Sequence, residues 1–527
     1  MDDGDRLDDQ PLSAVIDEPA DIPTLRERIK TMAQEARDRG EEATVEDFLA
    51  QSRKNDAAYI SPADLEKAEW VADIYEQEGE PETHARDFHY RILGKGYEMR
   101  DGSEYAHSNR CWIELKEAFK WARILGLIDS SRIEDSTNTD VTPTAFESVD
   151  RPLPNTGETD LHDIASDIDV DDGYRHARLP SRIEPAEILF EDTGTFIETA
   201  AKMVADQAFH RMYFDANAEQ RYYIEIWSEK SGVIPEALAG EYGATIREAG
   251  KGEFSLTMCE KAIDIAATRN QDLAVVIVSD WDSKGADMPL SAGRKLEVLG
   301  ALNDVDVELV KGAVTKAQVK EYGIPGDPAK VPDGLERGVA AAKGYETQKQ
   351  LFREYAGQYP VEIQGFSTRY PEAFEKELEE RLEAFYDAEL GERIKERMSD
   401  ARDDAREALQ RAFYAREDEI ETALEELRQA VDRYQDRLEG DIEAAQQGLS
   451  MLEDREYAVR EDERITKYRS QLTETISGVD HREVLAAVDV PLPKPDSPGV
   501  DEPLLDTRRT FLEQLEAYRQ YNMRYDE

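Results

Sequence analysis

Between residues 185 and 370, short apolar runs alternate with segments whose apolar residues recur every three or four positions, the pattern of a parallel sheet covered by helices. The runs Tyr222–Trp227, Leu273–Val278 and Val305–Val310 read as buried strands, with helices over Ile234–Glu241 and Leu256–Ala267 between them. From Ser61 the spacing is helical; Trp112, Leu115, Phe119, Ala122 and Leu125 share one face and Gly126 closes the run, so residues 59–135 predict a small helical, winged-helix-like domain. Residues 1–58 are polar and acidic, with helices predicted over Ile22–Arg39 and Thr44–Gln51, and read as a loosely attached arm. Residues 136–184, rich in Asp, Ser, Thr and Pro, read as an acidic linker. Over 371–480 the chain is charged and helical, with a heptad-like stripe at Ile420, Leu424, Leu427, Val431, Tyr434 and Leu438. That stripe suits a helical hairpin or short coiled coil as well as an amphipathic helix lying on the protein itself. Residues 481–527 supply a proline-rich spacer, Pro491–Pro503, and a last helix near Thr507–Tyr521.

A chain of 527 residues implies several such units, about three or four. Its acidity changes the picture further: 117 Asp and Glu stand against 65 Lys and Arg, a formal charge of −52 spread over the whole length. Such a surface repels polyanions in dilute buffer, but in molar salt the screening length shrinks to about 3 Å, so the composition reads as salt adaptation and leaves nucleic acid open as a partner. Between His84 and Arg132 basic residues outnumber acidic ones, against the trend of the chain. The two cysteines, Cys111 and Cys259, form no CxxC or Cys/His cluster, which argues against a disulfide framework or a zinc site. No apolar stretch approaches the ~20 residues that cross a bilayer, and Met1–Asp9 is acidic where a signal peptide is basic, so a soluble, cytoplasmic protein is expected. The run Asp167–Gly173 superficially suits a calcium loop, but Arg178 stands where the bidentate Glu is required.

Open α/β sheets bind ligands at the carboxyl ends of their strands, and here two strands end in acid: Glu229 after one, Asp280 and Asp282 after another. Three gathered carboxylates repel one another unless a cation joins them, and hard oxygen donors favour Mg²⁺, which keeps waters for phosphate oxygens. An Asp-x-Asp at a strand end is more often a turn cap, so that motif alone does not establish a site. Lys230, Lys251 within Gly250-Lys-Gly, and Gly285 are candidates for phosphate or DNA contact; for the lysines a solvated rim is an equal alternative.

Glu229-Lys230, Gly250 to Thr257 and Asp280-Trp-Asp-Ser-Lys-Gly285 resemble, in order and spacing, the Toprim domain of topoisomerases, some primases and nucleases. Upstream, Thr83-His-Ala-Arg86-Asp87-Phe-His-Tyr90 resembles the Arg-acid-x-x-Tyr motif in the winged helix of the topoisomerase VI A subunit and the meiotic double-strand-break protein. Ala313-Val-Thr-Lys-Ala-Gln-Val and Asp327-Pro-Ala-Lys330 resemble the plasmid- and virus-borne mini-A branch. The resemblance spans roughly residues 60–390. Ser283-Lys284 and His89 depart from the usual residues.

That resemblance implies a Mg²⁺-dependent, A-subunit-like enzyme acting on double-stranded DNA. Tyr90 would be the nucleophile, leaving a 5′-phosphotyrosyl link; Arg86 would stabilise charge, and Glu229, Asp280 and Asp282 would hold the metal. It implies a homodimer, since two strands need two tyrosines, and a separate ATPase subunit for strand passage, because the chain has no glycine-rich phosphate loop. Read from the residues alone, Tyr90 also suits a core aromatic beside Phe88 and Ile92, and Tyr97 and Tyr105 are lesser candidates. A water-using Toprim nuclease and a non-catalytic DNA-binding or replication-accessory protein of a mobile element are the alternatives.

Overall fold

The computed structural model describes residues 7, 9–134, 159–160, 192–209, 216–249, 253–326, 360–446 and 492–524, with scattered positions between 467 and 490. The chain divides into two compact units: Met1–Asn155 with Asn217–Ala388 and Pro495–Glu527, and Thr156–Ala216 with Glu389–Lys494.

The first unit is α/β. Its five-stranded sheet is built from β1 (Tyr222–Ser228), β2 (Thr245–Glu248), β3 (Asp272–Val278), β4 (Val307–Ala313) and β5 (Leu505–Asp506), in the order β2-β1-β3-β4-β5. All neighbours run parallel except β4 and β5. The strands are buried on both faces, so alternate residues feed two cores. Tyr223, Trp227, Leu273, Val275 and Ile277 join one core, which includes residues of α6 (Leu256–Arg269) and α7 (Ser283–Asn303). Ile224, Ile226, Ala274, Val276 and Val278 join the other, with residues of α5 (Glu236–Glu241), α9 (Ile363–Ser367) and α10 (Pro371–Leu382). A short helix, α8 (Lys316–Tyr322), follows β4 and starts with a capping box between Thr315 and Gln318.

Ahead of the sheet lie α1 (Ile22–Asp38), α2 (Pro62–Gln77), α3 (Ala85–Ile92) and α4 (Asn109–Ile124). Ser61 and Asp64 form a capping box for α2, with Pro62 in the first turn, and the Ser108 hydroxyl accepts the Cys111 N–H to start α4. Phe88 of α3 meets Phe119 of α4 edge-on at 5.2 Å and Tyr75 of α2 at 5.5 Å, which locks the three helices together.

Residues 7–58 are not the loose arm their polarity predicts. Leu7, Leu12, Ile16, Ile22, Leu25 and Ile29 are buried in the core that also holds residues of α7 and of the terminal helix α11 (Phe511–Arg524). The Gln10 carbonyl accepts the Phe511 N–H at 2.9 Å. Six well-spaced apolar residues suffice to dock a segment whose other face is acidic. The helix expected over Thr44–Gln51 shrinks to a single 3₁₀ turn, Glu46–Phe48.

Both limits of the sheet unit also differ from expectation. The sheet unit opens near Asn217, not 185, and extends through Ala388, so α10 belongs with the sheet. The helix Thr193–Phe209 packs instead in the second unit, where Phe196, Ile197 and Ala201 join Ala405, Leu409 and Phe413 of the helix Leu390–Tyr414. Ile420 and Leu424, on the helix Glu417–Gln446, are buried in the same cluster with Leu427 against it, so the first half of the stripe packs on the protein's own helices. The side chains of Val431, Tyr434 and Leu438 lie outside the described residues, as does the expected linker apart from a two-residue ladder, Thr159–Asp160 with Asp489–Val490. Beyond the prolines the chain returns to the first unit as edge strand β5 and helix α11, which begins at Phe511, not Thr507.

No helix among the described residues is long and apolar enough to cross a membrane.

Candidate functional site

The central strands β1 and β3 pair in register to their ends, Ser228 opposite Val278, so the residues that follow meet at one rim of the sheet. Glu229 continues the pairing through its N–H to the Val278 carbonyl, 2.9 Å. Its Oε2 accepts the Asp280 N–H at 3.0 Å. Asp280 is 1% exposed. One of its oxygens accepts the Ile363 N–H at 3.0 Å; the other lies 3.3 Å from Lys230 Nζ, which is 4.0 Å from Glu229 Oε1. Asp282 caps α7: its Oδ1 accepts the N–H groups of Lys284 and Gly285 at 3.0 and 2.7 Å. Gly285 is required sterically, since a Cβ there would overlap the Asp280 carbonyl oxygen. Its close approach is to the rim's own backbone.

Sequence reasoning missed the cation behind these acids. Lys311 sits in the middle of β4, buried, with Nζ 3.4 Å from the Gly285 carbonyl and 5.8 Å from the centre of the Trp281 ring. Burial pushes its ammonium down to about 7, against the pull of Asp282, Glu229 and Asp280. Burial raises the Glu229 carboxyl above its ordinary range, helped by the charges of Asp280 and Asp282 and opposed by the Asp280 N–H and Lys230. Asp287, on the first turns of α7, is pushed up to about 6 by burial and then by Glu253 and Asp282. The signal for Lys311 was present in the sequence: a lysine directly after the apolar Leu309-Val310 and before Gly312-Ala313-Val314 is costly to bury unless acids face it.

The structure therefore gathers Glu229, Asp280 and Asp282 at one rim without arranging them around a common point. Among the described residues no group of three Asp, Glu, His or Cys side chains stands in a geometry that holds a metal. The donor chemistry, three carboxylates crowded enough to repel, suits a hard divalent cation. In the arrangement seen, Lys230 lies against Asp280 and Glu229, and Lys311 is buried behind the rim. Gly250 and Lys251 fall outside the described residues.

Tyr90 and Arg86 occupy a second cluster, on α3. Tyr90 is 54% exposed, which removes the core-aromatic alternative. Its ring lies 5.3 Å from that of His89 and 5.7 Å from that of His107. Arg86, one helical turn earlier, places its guanidinium 5.3 Å over the Trp112 ring. His89 is buried, its Nδ1 2.5 Å from the Tyr105 hydroxyl, and burial lowers its affinity for a proton, with the charges of His107 and Arg86 adding to the effect. Burial raises the Tyr105 hydroxyl far above its ordinary range, and the Tyr97 hydroxyl, which donates to Glu78 at 2.8 Å, is raised by that bond.

No family model, curated protein or solved structure matches the chain.

Proposed function

We propose that the protein cleaves double-stranded DNA by transesterification, in the manner of a topoisomerase VI A subunit, with Tyr90 as the nucleophile. The observation that carries this reading is Tyr90 itself: an exposed tyrosine at the end of the Arg86-Asp-Phe-His-Tyr90 motif, flanked by an arginine and two histidines, in the same unit as a strand-end rim of three acids. Glu229 after β1 and Asp280-x-Asp282 after the adjacent β3 support a Toprim reading of the sheet, and α2 to α4 support a winged helix. Mg²⁺ held by Glu229, Asp280 and Asp282 would supply positive charge to the scissile phosphate. Arg86 lies on the Tyr90 face of α3, where its charge would steady the anionic phosphate. Lys230 neutralises the rim between encounters. A homodimer would present two tyrosines to two strands, and strand passage would need a separate ATPase.

The test is incubation of the protein with supercoiled DNA and Mg²⁺ in molar salt, followed by detergent and protease. Protein-linked breaks that vanish in Tyr90→Phe and Asp280→Asn are expected. Breaks with free ends that survive Tyr90→Phe would instead assign a water-using nuclease. The 3.3 Å contact of Lys230 with Asp280 favours one further reading, a metal-free DNA-binding protein; DNA bound but left intact with Mg²⁺ present would establish it.

A further inference from the structure

A tyrosine hydroxyl ordinarily holds its proton to a pH of about 10, so a nucleophilic Tyr90 needs a group to take that proton. The motif names none; the fold offers one. His107 lies on the segment between α3 and α4 and is exposed. Its ring packs 5.7 Å from Tyr90 and 5.6 Å from His89, centre to centre. The two histidines differ in what they are free to do. His89 is buried and its Nδ1 is engaged by the Tyr105 hydroxyl. His107 has no hydrogen-bond partner among the described residues, so its ring nitrogens are not engaged by the protein.

We infer that His107 is the general base for Tyr90, an inference that rests on the transesterification reading above. The proton passes from the Tyr90 hydroxyl to the His107 imidazole as the oxygen–phosphorus bond forms and the phosphorus–3′-oxygen bond breaks. The 3′ oxygen takes a proton from water, and the imidazolium returns its own to the resulting hydroxide. The ionisable groups packed about His107 are Tyr90 and His89 on α3. Arg86 bears on His89, and Lys116 of α4 lies over the Trp112 ring at 5.3 Å. His89 orients the pair, ring against ring with both, and Tyr105 fixes His89.

The experiment follows single-turnover formation of the protein–DNA adduct on supercoiled DNA with Mg²⁺ in molar salt, from pH 5 to 9. It uses the full chain as wild type, Tyr90→Phe, His107→Gln, and His107→Ala with and without added imidazole. The wild-type rate is expected to climb over the interval in which imidazoles titrate, about pH 5–8. His107→Gln should lose about 10²-fold or more in rate and lose that climb, while DNA affinity and melting temperature stay unchanged. Imidazole should restore part of the rate to His107→Ala, a readout that an effect on folding alone would not give. If His107→Gln forms adduct at the wild-type rate and pH profile while Tyr90→Phe forms none, the base is not His107 and the function stands. Absence of any adduct from wild type overturns both.

Discussion

Replacing Arg294 by methionine should release the N-terminal segment from the sheet unit. The guanidinium is 1% exposed, on α7, with Nε 3.2 Å from Asp56 Oδ1 and Nη1 2.8 Å from Glu297 Oε2. The Asp56 contact is an ion pair, and Nε and Nη2 have no hydrogen-bond partners among the described residues. Phe511 and Tyr518 of α11 stack on it at 5.3 and 5.4 Å. Without the arginine, Asp56 keeps three N–H donors, from Ala50, Gln51 and Ala58, and Glu297 keeps the Tyr518 hydroxyl at 2.9 Å. Neither carboxylate keeps a counter-charge in a dry site. Breaking a buried pair from one side costs about 3–5 kcal/mol, which at 1.36 kcal/mol per decade is an opening equilibrium raised on the order of 10²–10³-fold. The pH dependence has a sign. Burial already raises the Glu297 carboxyl, and Arg294 opposes that rise; removing Arg294 raises it further, so the group takes up a proton on acidification and the penalty shrinks as pH falls. Amide hydrogen exchange over Ile22–Asp38 reads the opening directly, at pH 8 and pH 5.5 in molar salt. Exchange in Arg294→Met within threefold of wild type at pH 8 would refute the reasoning, since a buried, doubly paired guanidinium cannot be so cheap to lose.

Asp282 serves as helix cap and as rim charge, and two substitutions separate the roles. Asp282→Ala should cost about 1 kcal/mol of stability by losing the cap, whereas Asp282→Asn should melt like wild type, and both should lose Mg²⁺-dependent cleavage; cleavage by Asp282→Asn at the wild-type rate would remove that carboxylate from the chemistry. Glu78 ties the end of α2 to α3 and the segment after it, accepting from Lys95 at 2.6 Å, Arg91 at 2.9 Å and Tyr97 at 2.8 Å. Lys95 above all, then Arg91, holds its carboxyl down at about 2. A depressed acid stabilises the fold above its unfolded range and ceases to do so as pH falls through the folded value, so exchange over Ala85–Ile92 should quicken between about pH 4.5 and 2. In Glu78→Gln that acid step should be absent, and molar salt should shrink it in wild type.

What the sequence made legible follows from which forces are local. β1 and β3 could be named to within a residue because a strand buried on both faces is apolar nearly throughout, the buried Glu225 of β1 being met by Arg247, and the acids at their ends could be named because an apolar run that stops in acid is conspicuous. β5 could not: two residues after Pro503 carry no period, and they become a strand only because β4 leaves an edge for Leu505 to pair with Leu309. The helix Thr193–Phe209 has a clear helical pattern but nothing in it says which core it joins; Ala200, Ala201 and Ala205 allow close approach to the helix Leu390–Tyr414, a contact about two hundred residues away in sequence. The same limit governs the site. Spacing could bring Glu229 beside Asp280, but it could not say that Asp282 would spend its oxygen on the amides of α7, or that the charge at the rim would be met from within β4. A lysine buried within a strand is tolerable only where carboxylates face it, and the rim acids are in turn eased by Lys230 against Asp280 and by Lys311 behind them. The lysines and the acids are therefore each the condition for the other's burial.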